Sequence, residues 1–278
     1  MKLTVIIVNH NQSDLLKLAL NSLIKAGNAI DNEFIMVDNA STDNSVEMVN
    51  AVYPKVKVIA NTVNEGVAKA SNQGVAAAKG AYVLLVNADT ICGKETIDRV
   101  LEFMDNHTDV SGLGVRMLGA QGSFLRESNR GLTRPWVNFF KLIGFAKNFV
   151  KSRLSDRNHK AWVEEFQTSE IDILADGFML IRKSVFNQVG MFDERFVQFG
   201  HNIDFSYRMR LMGFKNYYFA KTYIINFKSQ SKPKFSWPYI KNFYGAMLIF
   251  AAKYMFSMPE IKIVHGMQLY PPAYDVKQ

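Results

Sequence analysis

The strongest constraint on the fold of this chain is the alternation of strand and helix patterns between residues 3 and 90. The segment LTVIIVNH contains a continuous run of β-branched residues, which predicts a strand buried on both faces. The next segment, SDLLKLALNSLIKAG, has leucines at helical spacing, and similar patterns continue through EFIMVDN, VKVIAN, GVAKASNQGVAAAKG and AYVLLVNADT. Short links between such elements predict an α/β fold with a mostly parallel central sheet flanked by helices.

Polar residues follow each of the predicted strands at the point where the strand ends. They are Asn9-His10-Asn11, Asp38-Asn39, Asn61 to Gly66, and Asn87-Ala88-Asp89. In open parallel sheets, ligands bind beyond the carboxyl ends of the strands. We therefore expect these side chains to meet in one binding site.

Asp38 and Asp89 are the candidate ligand-binding carboxylates in this set. Asp38 could accept hydrogen bonds from a nucleobase or a ribose, although a strand-end aspartate also commonly caps the next helix. Asp89 could bind a Mg²⁺ or Mn²⁺ ion that bridges phosphates, although a lone turn aspartate usually binds nothing. Gly66, at a predicted helix start, would let backbone amides approach a ligand.

Composition limits the cellular context of the protein. The chain has 278 residues and one cysteine, Cys92, which excludes an intramolecular disulfide and fits a reducing compartment. No window reaches the roughly 18 uninterrupted apolar residues that a membrane-spanning helix needs. These features predict a cytoplasmic protein and leave open a peripheral position on the inner face of the cell membrane.

The net charge of +8 is concentrated in two segments. Residues 112–170 contain ten lysines and arginines against five acids, and residues 228–278 contain seven lysines against two acids. Such basic surface fits anionic lipid or phosphorylated ligands. The sequence has no helix-turn-helix, zinc-finger or RNA-binding signature, so we do not expect nucleic acid as a partner.

The regular alternation stops after Ser111, and we interpret residues 120–168 as a basic, aromatic insertion of loops and helices. Regular patterns return at IDILADGFMLIRKSVFNQVG and continue to the strand KNYYF. An amphipathic helix is then predicted from Phe235 to Phe256, within a C-terminal segment at 231–278. Two interpretations of this helix stay open: it docks at a membrane interface, or it covers the sheet or forms a homodimer contact.

Six motifs, taken in order, carry a resemblance to a known family. They are VIIVNHN, VDNASTDNS, NEGVAKASNQG, LLVNADT, GFMLIRKSVFNQVGMFDERF and IDFSYRMRLMGFKNYYF. Together they resemble the inverting family 2 glycosyltransferases with the GT-A fold, in particular the rhamnosyltransferase-like enzymes of bacterial surface polysaccharide. The resemblance implies a UDP- or dTDP-sugar donor with Mg²⁺ or Mn²⁺ on its diphosphate. It also implies a glycan or lipid-linked acceptor that displaces the diphosphate with inversion.

Carried onto this sequence, the resemblance implies a nucleotide-sugar-binding half at residues 1–111 and an acceptor-side half at residues 112–230. The implied donor-binding residues are Val8, Asn9, His10, Asn11, Asp38, Asn64, Gly66, Asn72 and Asn87. The implied metal ligand is Asp89, in a motif whose first acid is replaced here by an amide. The predicted acceptor-side residues are Arg126, Glu127, Arg130, Asp176, Gly177 and Phe178. For the arginines of the basic insertion, a solvated surface is the alternative.

The chain departs from the family at positions that matter for catalysis. His201-Asn202 stands where the family usually has Glu-Asp, and an amide cannot replace the second acid, the expected general base. Asn226 stands where a metal-holding histidine is frequent, and Ala220 where proline is usual. Three interpretations stay open. His201 is the base, the shared Asp204 is the base, or the chain is a catalytically degenerate nucleotide-sugar-binding or partner protein.

Overall fold

The elements of the fold alternate along the first half of the chain, as the sequence predicts. A computed structural model describes residues 1–130, 134–144, 165–227 and 237–256. The strands are β1 (Leu3–Asn9), β2 (Asn32–Asp38), β3 (Lys57–Ala60), β4 (Tyr82–Asn87), β5 (Thr90–Cys92), β6 (Val110–Gly119), β7 (Ser169–Ile171), β8 (Phe178–Arg182) and β9 (Lys215–Asn226). The helices are α1 (Ser13–Ala26), α2 (Ser45–Val52), α3 (Val67–Ala77), α4 (Thr96–Asn106), α5 (Glu127–Arg130), α6 (Arg134–Leu142), α7 (Lys183–Val189), α8 (His201–Leu211) and α9 (Trp237–Ala251). A π-helical turn, Ala252–Phe256, continues α9.

These strands form one sheet in the order β3-β2-β1-β4-β8-β6-β9-β5, with β7 paired to β9. Strands β1 to β4 are parallel, as predicted. The second half of the sheet is mixed, because β8 runs antiparallel to both β4 and β6, whereas β6 is parallel to β9. The strand order reverses between β1 and β4, and such a reversal opens a crevice at the carboxyl ends of the strands.

Strand β1 is apolar at Leu3 and from Val5 to Val8, because both of its faces are buried. Val5 and Ile7 join the core cluster on the side of α1, α2 and α4, whereas Ile6 joins the cluster on the side of α3, α7 and α8. Helix α3 approaches β1 closely at Gly74, where an added Cβ would lie 2.4 Å from a methyl group of Ile6. Successive residues of this strand therefore serve opposite layers of the molecule.

Strand β6 was not predicted from the sequence. The predicted boundary between the nucleotide-sugar-binding half and the acceptor-side half, between residues 111 and 112, falls inside this strand. The strand begins with the sequence VSGLG, whose glycines interrupt the apolar pattern. A Cβ on Gly112 would lie 2.6 Å from the Asn216 side chain and 2.7 Å from that of Leu174. The residues after 111 thus continue the same sheet, and the glycine is set by tertiary contact.

A third apolar cluster joins α6, α8 and α9. Its centre contains Trp136, Phe140, Phe243 and Phe250, with ring centroids 5.1 to 6.5 Å apart in the pairs that touch. The predicted C-terminal helix is therefore present and packs against α6 and α8. None of the helices in the described ranges is long and apolar enough to cross a membrane.

Lys253 fastens the end of the α9 segment to the rest of the protein. Its ammonium group donates to Asp193 at 2.8 Å and to Asp204 at 2.6 Å. The Asp204 carboxylate also accepts hydrogen bonds from Arg208 at 2.9 Å and from the Tyr254 hydroxyl at 2.7 Å. Burial alone raises the pKa of Asp193, but its bonds to Arg195 and Lys253 outweigh burial and hold that pKa well below its usual range.

We expect Lys253→Met to lower the free energy of unfolding by about 3 kcal/mol at pH 7, because the Asp193 and Asp204 carboxylates each lose one of their two cations. Because the pKa of Asp193 is lower in the folded than in the unfolded state, its ionised carboxylate stabilises the parent fully above pH about 4. This stabilisation is lost as the pH falls towards the folded-state pKa. The variant should therefore lose less stability than the parent on acidification. Urea denaturation from pH 7 to pH 3 measures both effects. Lys241→Met, on the exposed face of α9, is the control, and equal losses in the two variants would contradict the assignment.

Candidate active site

A narrow cleft lies at the carboxyl ends of β1 and β4, where the strand order reverses. It is lined by Val8, Val67, Ser71, Leu85, Val86, Asn87, Asp176, Met179, Phe192 and His201. Its volume of about 20 Å³ holds about one water molecule. A larger cavity of about 390 Å³, lined in part by Lys2, lies beside α4 at the other end of β1, away from the polar strand ends. We therefore place the site at the smaller cleft.

Asp38 lies at the end of β2 and is held by its own chain. It is only 2% exposed, and its Oδ1 accepts hydrogen bonds from Asn9 Nδ2 at 3.0 Å and from the Ser41 hydroxyl at 2.6 Å. Its Oδ2 accepts the Ser41 backbone N–H at 2.8 Å. Asn11 supports the same turn, because its Oδ1 accepts the Thr42 N–H at 2.6 Å. In this conformation Asp38 shapes the wall of the site and does not present a free carboxylate.

Three buried polar atoms after β1 have no hydrogen-bond partner in the described part of the chain. They are Asn9 Oδ1, His10 Nδ1 and Gln12 Oε1. Buried polar groups are nearly always paired, so a cluster of such atoms indicates a place where a ligand or water completes the bonding. Asn9 and His10 belong to the predicted donor-binding set, whereas Gln12 was not predicted.

The loop between β3 and α3 is fixed by the other predicted donor-side residues. Asn64 Oδ1 accepts the Asn39 amide at 2.9 Å and the Gly66 N–H at 3.1 Å. Gly66 has φ +82°, and a Cβ there would lie 2.7 Å from the Val197 carbonyl oxygen. The Asn72 amide bonds both backbone groups of Phe192 at 2.9 Å. These residues join the loop to the segment around 192–197, which lies before α8.

Asp89 and Asn226 meet at the predicted metal position, although they are 137 residues apart. Asn226 Nδ2 lies 3.5 Å from Asp89 Oδ1, and the Phe227 N–H donates to the Asp89 carbonyl at 2.8 Å. Asn226 Oδ1 is buried without a hydrogen-bond partner in the described ranges. Gly177 adjoins this pair, because an added Cβ would lie 3.3 Å from Asn226 Nδ2 and 3.7 Å from Asn87 Nδ2.

Mg²⁺ and Mn²⁺ take oxygen ligands and retain several waters. The Asp89 carboxylate and the Asn226 amide oxygen are therefore suitable ligands, but two protein ligands alone hold such an ion weakly. Within the described residues, no group of three or more His, Cys, Asp or Glu side chains could hold a metal ion. The residues present therefore fit a metal ion that brings most of its oxygen ligands with it, such as one bound to a diphosphate.

The three candidate catalytic residues at the start of α8 have different surroundings. His201 is 3% exposed and lines the cleft, with its ring edge-on to Phe192. The Asn202 side chain donates to the Leu174 carbonyl at 2.8 Å. Asp204 is fully buried, and both of its oxygens accept the bonds from Arg208, Lys253 and Tyr254 described above. Its carboxylate serves the packing of α8.

The predicted acceptor-side residues separate into two groups. Asp176 lines the cleft and is 45% exposed, whereas Phe178 is fully buried in β8, so its ring belongs to the core and not to a ligand surface. Arg126 is exposed and Glu127 begins α5, just after Leu125, whose N–H donates to the Met117 carbonyl of β6. The side chain of Arg130 lies outside the described residues. Ser71, Met179 and Phe192 also line the cleft. They lie within the motifs that carry the family resemblance, but they were not predicted as site residues.

A crevice at the reversal point of an α/β sheet, beside the carboxyl ends of its strands, is the place where proteins of this architecture bind their ligands. Residues 4–190 match the family model Glycosyl transferase family 2. The chain belongs to this family.

Its relatives include bacterial glycosyltransferases. The chain is 34% identical over 165 residues to the poly(ribitol-phosphate) beta-glucosyltransferase of Bacillus spizizenii, covering 56% of this chain and 26% of that protein. It is 26% identical over 215 residues to the N-acetylglucosaminyl-diphospho-decaprenol L-rhamnosyltransferase of Mycobacterium tuberculosis, covering 71% of this chain and 67% of that protein. The chain thus spans only about a quarter of the length of the first of these relatives.

Solved structures confirm the fold. TarS of Staphylococcus aureus, residues 1–349 in complex with UDP-GlcNAc, superposes with a TM-score of 0.64 at 21% identity, covering 92% of this chain and 67% of that one. The mannosyltransferase PcManGT of Pyrobaculum calidifontis, in complex with GDP-Man and Mn²⁺, superposes with a TM-score of 0.59 at 17% identity, covering 92% and 65%. At this level of identity the likeness concerns the fold alone.

We expect Asp38→Ala to lower the free energy of unfolding by about 2 kcal/mol, because Asn9 and Ser41 lose their buried acceptor. It should also weaken UDP binding, because the turn that walls the site is no longer held. Urea denaturation and calorimetric titration with UDP measure the two effects. Asp98→Ala, on the exposed face of α4, should change the unfolding free energy by less than about 0.5 kcal/mol. Parent-like stability and UDP affinity in Asp38→Ala would show that the turn does not depend on this carboxylate.

Proposed function

We propose that this chain transfers a sugar from a UDP- or dTDP-activated donor to a glycan or lipid-linked acceptor, with inversion, during cell-surface polysaccharide synthesis. One observation carries the proposal: the ends of β1 and β4 line one cleft with the start of α3, and Asn87 of that cleft lies two residues before Asp89. The kinship with the Bacillus and Mycobacterium enzymes supports the surface-polysaccharide assignment.

In this proposal the nucleoside lies along the end of β1. Val8 lines the cleft, and the unpartnered atoms of Asn9 and His10 complete their hydrogen bonding with the base or the ribose. Asp38 and Asn11 act through the turn that they hold, while Asn64, Gly66 and Asn72 keep the opposite wall in place. Such a site is fixed before the donor binds, which reduces the entropy lost on binding.

The diphosphate would lie beside Asn87 and Asp89. A divalent metal would be held by Asp89 together with diphosphate oxygens, and a turn of the Asn226 side chain that exchanges Nδ2 for Oδ1 would add the amide oxygen as a ligand. When bound, the metal neutralises charge on the leaving diphosphate. Since this chain offers few ligands of its own, metal and nucleotide are expected to bind together.

The exposed face of α9 suits a lipid-linked acceptor. Helix α9 exposes Trp237, Lys241, Tyr244 and Leu248 at successive positions along one face. Aromatic, aliphatic and lysine side chains on one face are typical of helices that lie at a membrane interface. This face also offers the alternative of a homodimer contact.

A second candidate function is a nucleotide-sugar-binding protein that does not transfer. The amides at 202 and 226 favour it, because the family uses titratable groups at these positions. Release of UDP from UDP-GlcNAc, or of dTDP from dTDP-rhamnose, separates the two functions. The transferase proposal requires release with Mn²⁺ that is clearly faster than the uncatalysed rate, whereas the binding function requires UDP affinity without release.

We expect the parent to bind Mn²⁺ at least about 10-fold more tightly with UDP than without it, because the nucleotide supplies ligand oxygens. Asp89→Asn should remove most of this enhancement while UDP still binds in the absence of metal. Calorimetric and electron paramagnetic resonance titrations measure both quantities, with Asp98→Asn as the charge-matched control. Tight Mn²⁺ binding in Asp89→Asn would place the metal elsewhere.

A further inference from the structure

The loop between β7 and β8 is fastened along α8, next to the position where the family carries its base. Asn202 Nδ2 donates to the Leu174 carbonyl at 2.8 Å, and the Leu174 N–H donates to the Ser206 hydroxyl at 3.1 Å. Arg210 forms a 2.9 Å ion pair with the buried Asp172. The amide at 202 thus has a structural use, because it holds a loop that supplies a side chain to the cleft.

The side chain that this loop supplies is Asp176. Its carboxylate lines the cleft together with Asn87 and is 45% exposed, so an acceptor hydroxyl can reach it. The next residue, Gly177, has φ +119° and lies against the amides of Asn87 and Asn226. Asp176 is therefore next to the residues that we assign to the diphosphate and metal side of the site.

His201 stands behind this carboxylate. Its Nε2 lies 3.8 Å from Asp176 Oδ1, and its Nδ1 has no partner in the described ranges. The ring is 3% exposed and packs edge-on to Phe192, so it is far less accessible to an acceptor than Asp176. A small movement of Asp176 would bring the two groups within hydrogen-bonding distance, with the imidazole orienting the carboxylate.

We propose that Asp176 is the general base of the transfer reaction and that His201 is its positioning residue. This inference rests on the proposed function. The acceptor O–H bond breaks and its proton passes to the Asp176 carboxylate, while the acceptor oxygen forms the bond to the anomeric carbon. The bond from that carbon to the diphosphate breaks, and the nucleoside diphosphate leaves with the electron pair. Because Asp176 is exposed, its proton then returns to solvent.

The experiment uses the full chain with Mn²⁺ and follows UDP release from UDP-GlcNAc and dTDP release from dTDP-rhamnose, with water as the acceptor. Asp176→Asn should lower kcat by about 100-fold or more, the usual contribution of a general base, with an unchanged KM for the donor and unchanged UDP affinity. Asp98→Asn, an equal change of charge on α4, should leave kcat as in the parent. Thermal unfolding checks that each variant is folded.

Three further variants separate a base from a structural group. Asp176→Glu keeps a carboxylate at this position and should retain at least about 10-fold more kcat than Asp176→Asn. For the positioning residue, His201→Gln keeps a hydrogen-bond donor and should retain more kcat than His201→Leu, at equal KM.

The outcomes distinguish this inference from the proposed function. Parent-like kcat in Asp176→Asn, with donor release intact, overturns the assignment of the base and leaves the transferase standing. UDP binding by the parent without release from either donor also overturns it and supports the binding function. Failure of the parent to bind UDP removes the proposed function, and the assignment of the base with it.

Discussion

The burial of both faces of the central parallel strands is the constraint on which the rest of this structure depends. β1 is paired on both edges, by β2 and β4, and its side chains fill core clusters above and below the sheet. A polar side chain within such a strand needs a partner beside it, as Thr4 has in Glu33, because burial without one costs about 1 to 3 kcal/mol. Polar chemistry is therefore confined to the strand ends. Since parallel strands end on the same side, that chemistry is brought together.

Several residues predicted to bind a ligand instead hold the protein's own chain. Asp38 accepts three internal hydrogen bonds, and Asn72 bonds both backbone groups of Phe192. These bonds fix the two walls of the crevice before any ligand arrives. Within the described ranges, buried atoms without a hydrogen-bond partner remain on Asn9 and His10 at the end of β1, and also on His201 and Asn226. A rigid frame with a small set of unsatisfied groups is the arrangement expected of a preorganised site.

Local pattern accounts for what the sequence could predict. The buried strands appear in the sequence as continuous apolar runs, and the helices beside them as apolar residues at helical spacing. β1 to β4 and the polar residues at their ends were therefore predicted correctly. β6 was missed because Gly112 is required by contacts with Leu174 and Asn216, which local sequence does not reveal. The partnerships that define the site join residues far apart in the chain, such as Asp89 with Asn226 and Asp176 with His201. Only a motif shared with a family could place them, and it offered no guide where the chain departs from that family.

The departures at the site have a common electrostatic consequence. Where the resemblance implies acids, this chain has Asn87, His201 and Asn202, so the crevice carries less negative charge around the position that we propose for the diphosphate. Lower negative charge weakens a bare metal site and also weakens repulsion of the nucleotide, which favours binding of the two together. Acids at positions 201 and 202 would repel the Asp176 carboxylate on the facing loop. Their replacement by a histidine and an amide therefore allows Asp176 to lie beside the start of α8. A histidine and an amide at those positions instead offer Asp176 a neighbouring imidazole and a firmly held loop. His201 and Asn202 at the start of α8 therefore act together with Asp176 of the loop, the first as its neighbour and the second by holding the loop in place.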